Sequence, residues 1–291
     1  MYKIKILCIL EAKMKYQEIK YNDVKSLKIE NDMYEMIIPL DYGIRIASFL
    51  KKGDKNFLGE LTGISRAHEE DTWFIRGGHR LWHTPEKFPR TYMPDNQPID
   101  YEIVDEALIL TQPINNQTLL QKQLKIKFID GGKRVRIEHI LMNKGQWTIE
   151  TAAWGITLLR TGGIAKIPLN KRKEELLSTK RFSLWSYCHL GDERITFKED
   201  YFTLKQDVNN NTAFKIGTNN EEGWASYTEG GYTFTKYFDY KADQDYPDHG
   251  CSFETYTSDK ILELETLSPI QTINPEESIH HFELWEISKE K

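Results

Sequence analysis

The feature that most constrains this chain is alternation with a period of two, broken by glycine turns, from one end to the other. Gln121–Ile129 alternates apolar and polar residues, Asp130-Gly-Gly132 follows, and Arg134–Met142 alternates again. Successive side chains of an extended chain point to opposite faces, so each run offers one apolar face for burial. A glycine-bearing turn between two such runs predicts a β-hairpin. Gly223–Thr228, Glu229-Gly-Gly231 and Tyr232–Tyr240 repeat the pattern. Tyr34–Leu40 and Ile44–Leu50 flank Asp41-Tyr-Gly43, Tyr101–Thr111 alternates up to Pro113, and Trp147–Leu159 ends at Gly162-Gly163. Ile261–Leu267 and Ile279–Ile287 read as two strands joined by a turn. Helical periodicity is confined to Asn170–Ser178 and, more faintly, Lys13–Tyr21. The expected class is all-β. A chain of 291 residues suffices for one large sandwich of two curved antiparallel sheets. A double jelly roll or an elaborated eight-stranded barrel fits the same periodicity.

Charge and cysteine usage narrow the function. A net charge of −5 with both signs interspersed offers no basic stripe, so no nucleic-acid partner is expected. Cys8, Cys188 and Cys251 are far apart and odd in number, which argues for a reducing compartment. The apolar run Ile6–Leu10 is shorter than a signal-peptide core and meets Glu11 at once, so Met1–Leu10 reads as a strand or a ragged end. No run reaches transmembrane length. The expectation is one cytoplasmic domain over residues 1–291, with 1–25 as a peripheral segment, monomeric or homodimeric and without a membrane partner.

Four stretches carry chemistry. Glu263 and Glu265 share a strand face opposite Leu262 and Leu264, an unfavourable pairing unless that face is wet, bonded or functional. Trp73-Phe-Ile-Arg76-Gly-Gly-His79-Arg80-Leu-Trp82-His83-Thr-Pro-Glu86 packs two arginines, two histidines and a tryptophan around a Gly-Gly turn. An arginine fork suits vicinal hydroxyls, carboxylate or phosphate. His79 and His83 on a strand would stand roughly 13 Å apart, too far to share a metal, so no metal is expected. Asp243–Tyr256 presents His249 and Glu254 on a loop and strand just before Ile261–Leu267. Consecutive strands usually pair, which would bring either residue beside Glu265. Thr151-Ala-Ala-Trp154-Gly155-Ile156 offers an indole. His139, on the Arg134–Met142 strand, reads as structural. Asp192 and Arg194 could border a polar ligand or, as often, form a loop ion pair.

Leu264-Glu265-Thr266, a short spacer, Asn274-Pro-Glu276 and the terminal aromatic strand His280–Ile287 resemble the C-terminal signature of the galactose mutarotases, or aldose 1-epimerases. Arg76-Gly77-Gly78, with Trp82 and Pro85, resembles the Arg-Gly-Gly segment of hexose-6-phosphate mutarotases, which borders their sugar pocket. The resemblance implies a galactose-mutarotase-like β-supersandwich, a sugar or oligosaccharide ligand, no cofactor, and Glu265 as catalytic base. The family's acid histidine has no counterpart near Trp154. His79 is the chosen acid, since a histidine titrating near neutrality serves both directions of proton transfer, with His249 close behind. Arg76, Arg80, Trp82, His83, Trp154, His249 and Glu254 would position the sugar. The expected activity is mutarotation by general acid–base ring opening. The alternatives are a non-catalytic carbohydrate-binding or sensing module of the same fold, and a carbohydrate lyase or hydrolase.

Overall fold

Two large antiparallel sheets face each other across an apolar core. The structure is a computed structural model and describes residues 13–68, 71–174 and 176–290. The larger sheet has ten strands. From edge to edge they are Ile195–Phe197, Tyr201–Lys205, Ile164–Pro168, Trp224–Glu229, Tyr232–Phe238, Ser278–Lys289, Arg134–Asn143, Leu120–Ile129, Ala107–Thr111 and Asp100–Val104. The smaller has seven: Phe182–Leu184, Phe214–Thr218, Phe253–Thr257, Leu262–Leu267, Ala153–Leu159, His79–His83 and Arg45–Ile46. A four-stranded sheet, Lys15–Tyr21, Val24–Glu30, Tyr34–Pro39 and Ser48–Lys51, closes one side. Among the described residues no helix is long and apolar enough to cross a membrane.

The period-two reading locates the core. In Ser278–Lys289 every second residue from Ile279 to Ile287 is buried, and Leu124, Ile126 and Phe128 do the same two strands over. Leu262 and Leu264 answer them from the smaller sheet. Both expected hairpins form, as Leu120–Ile129 with Arg134–Asn143 and as Trp224–Glu229 with Tyr232–Phe238.

Four expectations need correction. The two C-terminal strands are not a pair: Leu262–Leu267 belongs to the smaller sheet and Ser278–Lys289 to the larger, and the chain crosses between them. Tyr101–Thr111 is a hairpin rather than one strand, turning at Asp105 and Glu106, whose φ values are 50° and 57°. Lys13–Tyr21 holds the strand Lys15–Tyr21, which pairs with Val24–Glu30, because tertiary pairing overrides a weak helical pattern. The described residues of 170–178 form no helix. Met1–Leu10 lies outside the described residues.

The central strands of the smaller sheet are covered on both faces: every residue of His79–His83, Ala153–Leu159 and Leu262–Leu267 is buried. The inner face meets the larger sheet. Over part of the outer face lies an aromatic cluster, in which Trp73 comes from the small hairpin Ser65–His68 and Asp71–Phe74 and Tyr92 from a 3₁₀ turn. Trp73 and Trp82 have ring centroids 5.7 Å apart, and Trp82 and Trp154 5.5 Å.

Candidate functional site

Directly paired residues of antiparallel strands share a face. One row across the outer face of the smaller sheet therefore runs Arg45, Arg80, Ile156, Glu265, Glu254 and Gly217. A second row holds Leu158, Glu263, Tyr256 and Lys215. The two rows bring together Arg80, Lys215 and three carboxyls. Glu263 and Glu265 share a face, as alternation predicts, and Glu254 lies beside Glu265, the expected neighbour.

Lys215 organises the site. Its ammonium is 2.7 Å from Glu254 Oε2 and 3.0 Å from Glu265 Oε2. It lies between two indoles, 4.7 Å from the Trp154 ring centre and 4.6 Å from that of Trp185, a desolvated cation–π arrangement. Trp154 Nε1 also donates to Glu265 Oε2 at 2.9 Å. Glu265 Oε1 is buried without a partner. The contact from Lys215 to Glu254 is close but poorly directed, so it is an ion pair rather than an aligned hydrogen bond. Glu254 is 0 % exposed, Glu265 1 % and Lys215 5 %. Farther along the face, Arg80 donates to Glu263 Oε1 at 3.2 Å and lies 4.8 Å over Trp82. Its Nε and Nη1 have no partner.

Two carboxyls and one ammonium cannot all be charged in a dry site without a net negative charge. Burial pushes Glu254 well above the usual carboxylate range, Lys215 opposing and Glu265 reinforcing the shift. Burial also raises Glu265, again against Lys215. Burial disfavours the Lys215 charge, but Glu265 and Glu254 together outweigh it and hold the ammonium well above its ordinary value. Both shifts favour a proton on this carboxyl pair, on Glu254 most strongly.

The other expected site residues lie elsewhere. His79 alternates with Arg80, so its ring enters the inter-sheet core, fully buried. Burial pushes it well below an ordinary imidazole. There it belongs to a chain of hydrogen bonds whose direction is fixed. His139 Nδ1 donates to the His281 carbonyl (3.0 Å), so its Nε2 is bare and accepts from His79 Nε2 (2.7 Å). His79 Nδ1 then accepts from Thr157 Oγ1 (2.9 Å), which accepts from Lys236 Nζ (2.8 Å). Lys236 pairs with Glu283 at 2.9 Å, and Glu283 also accepts from Trp285 Nε1 at 2.6 Å. His79, His139 and Glu283 offer ligand atoms within 4.8 Å of one another, but Lys236 already serves as their cation. His79 is thus a core residue and cannot be the acid facing Glu265.

His83 likewise faces inward and is buried, with neither ring nitrogen partnered. His249 is exposed on the Pro247–Gly250 turn, and among the described residues no bond joins it to the carboxyl row. Trp82 and Trp154 are 7 % and 3 % exposed, each packed against the other rather than open to a sugar. Arg76 bonds Asp95 (3.3 Å) and Asn96 (2.5 Å) and stacks over Tyr42. Gly77 and Gly78 must be glycine: at φ 73° and 70°, a Cβ would stand 2.3 Å from the Gly59 and Ile46 carbonyl oxygens respectively. Asp192 and Arg194 form an ion pair at 2.6 Å, the second of the two readings. A cavity of about 350 Å³ lies not over Glu265 but between the 93–97 and 112–117 segments. Lys215 and Trp185 had no sequence signal: a lone lysine on a strand reads as a solvated side chain.

No family profile matches the chain, and neither does any curated protein sequence. Solved structures do. A galactose mutarotase-like protein from Lactobacillus casei is similar at 12 % identity with a TM-score of 0.54, over 90 % of this chain and 100 % of that one. A galactose mutarotase related enzyme from Lactobacillus acidophilus matches at 11 % identity and a TM-score of 0.52, over 91 % of this chain and 98 % of that one. A TPR-domain containing protein from Parabacteroides distasonis matches at 12 % identity and a TM-score of 0.63, over 96 % of this chain. The chain spans 54 % of that protein's length. At such identities the likeness is one of architecture, and the conclusion it supports is that this chain has the galactose-mutarotase-like fold.

Proposed function

We propose that the protein is a sugar-binding isomerase of the mutarotase type, in which Glu265 and Glu254 form the acid–base pair. The observation that carries this reading is that the two carboxyls are direct cross-strand partners sharing Lys215, and we infer that they also share one proton. Mutarotation needs a base at the anomeric hydroxyl and an acid at the ring oxygen. Both oxygens are bonded to the same carbon, so two carboxyls on one side of the sugar can serve both. Glycoside hydrolysis needs its carboxyls on either side of the scissile bond, which neighbouring strands of one sheet do not offer. Glu265 Oε1 would take the anomeric proton, the Glu254 carboxylic acid would protonate the ring oxygen, and the roles would reverse on closure. The pair's net charge stays constant because Glu265 gains a proton as Glu254 gives one up, and Lys215 stands beside whichever carboxylate is charged. The unpartnered Nε and Nη1 of Arg80 would hold a neighbouring hydroxyl. Trp185 over Lys215 must lift for a sugar to enter.

A non-catalytic sugar-binding module is the second reading, favoured by the closure of the site: Glu265 is 1 % exposed, and Lys215 and Trp154 both hold its Oε2. Polarimetry on freshly dissolved α-aldoses and their 6-phosphates separates the two. Glu265→Gln and Glu254→Gln should each slow anomer interconversion by about 10²-fold or more while leaving the fold intact. Wild-type protein that accelerates none of these sugars would leave the binding module.

A further inference from the structure

The segment that carries Trp185 is attached to the molecule in an unusual way. Trp185 lies over the Lys215 ammonium, and beneath that ammonium Glu265 Oε1 and Glu254 Oε1 are buried without a hydrogen-bond partner. Each can still form a hydrogen bond, which points to a ligand that arrives from outside. Tyr187, on the same segment, stands near the pair: burial raises its hydroxyl, Lys215 opposing and Glu265 among the groups reinforcing the shift.

The segment is fixed at its ends and thinly held between them. Before it, Phe182–Leu184 pairs with Phe214–Thr218. After it, Arg194 donates to Asp192 Oδ2 (2.6 Å) and to the Thr212 carbonyl (2.9 Å), which pins the chain to the neighbouring loop. In the middle, Tyr187 is 50 % exposed and Leu190 82 %. Among the described residues, both hydrogen bonds that join residues 186–191 to the sheet are made by Cys188. Its thiol donates to the Lys215 carbonyl at 3.0 Å and accepts from the Lys215 amide at 3.1 Å. The register explains why. Leu184 ends its strand opposite Ile216, so Lys215, next along that edge, has no strand partner there. The thiol takes the place of the missing strand residue, with one weak donor and one weak acceptor.

We propose that residues 185–191 are a lid over the Glu254–Glu265 pair, latched shut by the Cys188 thiol on the main chain of Lys215 and opened when Trp185 leaves the ammonium. The lid's purpose rests on the reading of that pair as the binding site, but its motion is measured without a ligand.

The test compares the full chain as wild type, Cys188→Ala and Cys188→Ser. Acrylamide quenching of Trp185, taken as the difference between each protein and its Trp185→Phe counterpart, should rise about twofold or more in Cys188→Ala. Hydrogen exchange of the Lys215 amide should speed about tenfold or more, with Phe182–Leu184, Ile195–Phe197 and Leu262–Leu267 unchanged. Cys188→Ser keeps a donor and an acceptor and should stay near wild type in both readouts. Unchanged Trp185 quenching in Cys188→Ala would overturn the proposal. So would faster exchange that spreads into the flanking strands, which is local unfolding rather than a lid, and so would Cys188→Ser opening as far as Cys188→Ala. Polarimetry separates the two readings. A lid that opens as described on a protein that accelerates no aldose removes the isomerase and keeps the lid. Acceleration with an unmoved Trp185 does the reverse.

Discussion

Replacing Lys215 by methionine tests the shared-proton account quantitatively. Methionine keeps the apolar length of the side chain between Trp154 and Trp185 and removes only the ammonium. Glu254 and Glu265, 0 % and 1 % exposed, then have no cation and must both be protonated in the folded state. A carboxyl whose folded pKa lies above its unfolded value of about 4.3 holds its proton more tightly when folded. Its destabilising effect is absent below that value and grows as pH rises towards the folded pKa. On the shared-proton account wild type carries one such excess proton and the variant two, so the site would lower stability by about 1.4 kcal/mol per pH unit in wild type and about 2.7 in the variant. Removing one partner of a buried ion pair costs about 3–5 kcal/mol. The deficit of the variant should therefore be near 4 kcal/mol at pH 7 and shrink to about 1 kcal/mol at pH 5. Urea unfolding of both proteins at pH 5, 6 and 7 measures it, and titrations elsewhere cancel in the difference. A deficit that does not change with pH would show that the carboxyls do not share a proton.

Other outcomes are equally specific. Gly155→Ala would place a Cβ 2.7 Å from Glu283 Oε1 and 3.2 Å from His139 Nε2. It should cost about 1–3 kcal/mol through overpacking, and an unchanged melting temperature would refute the tight inter-sheet network. Burial pushes the Lys122 amine down to about 8, Asp95 opposing and Arg45 and Arg80 reinforcing the shift. Trace acetylation followed by peptide mass spectrometry should give Lys122 a midpoint near that value, against about 10.4 for surface lysines. A Lys122 that reacts only with the surface lysines would contradict its placement.

The strands and the outward pair Glu263 and Glu265 were legible from alternation alone, and sequential pairing brought Glu254 opposite Glu265. Parity also contained the answer for His79. If Arg80 and Trp82 face out, then His79, Leu81 and His83 face in, and adjacent residues of one strand cannot both meet Glu265. Lys215 was not legible. Its strand, Phe214–Thr218, lies about fifty residues from Glu265 in sequence, and only the sheet order brings the two together. The turn at Asp105-Glu106 went unseen because two acidic residues, without glycine or asparagine, adopt positive φ there.

The chain from Lys236 through Thr157, His79 and His139 to the His281 carbonyl has a consequence for how the two layers lie on each other. Apolar faces are forgiving: one sheet could slide over the other by a two-residue step and still bury hydrocarbon. Here Lys236, His139 and Glu283 come from the larger sheet, and His79, Thr157 and Thr266 from the smaller. Lys236 donates across the layers to Thr157 Oγ1 and to the Gly155 and Leu264 carbonyls, so a slipped stacking would strand an ammonium and a carboxylate in hydrocarbon, at several kcal/mol each. The buried polar seam thus works as an alignment key, admitting a single offset between the layers and fixing where the outer row of Arg80, Glu265 and Glu254 stands relative to everything behind it.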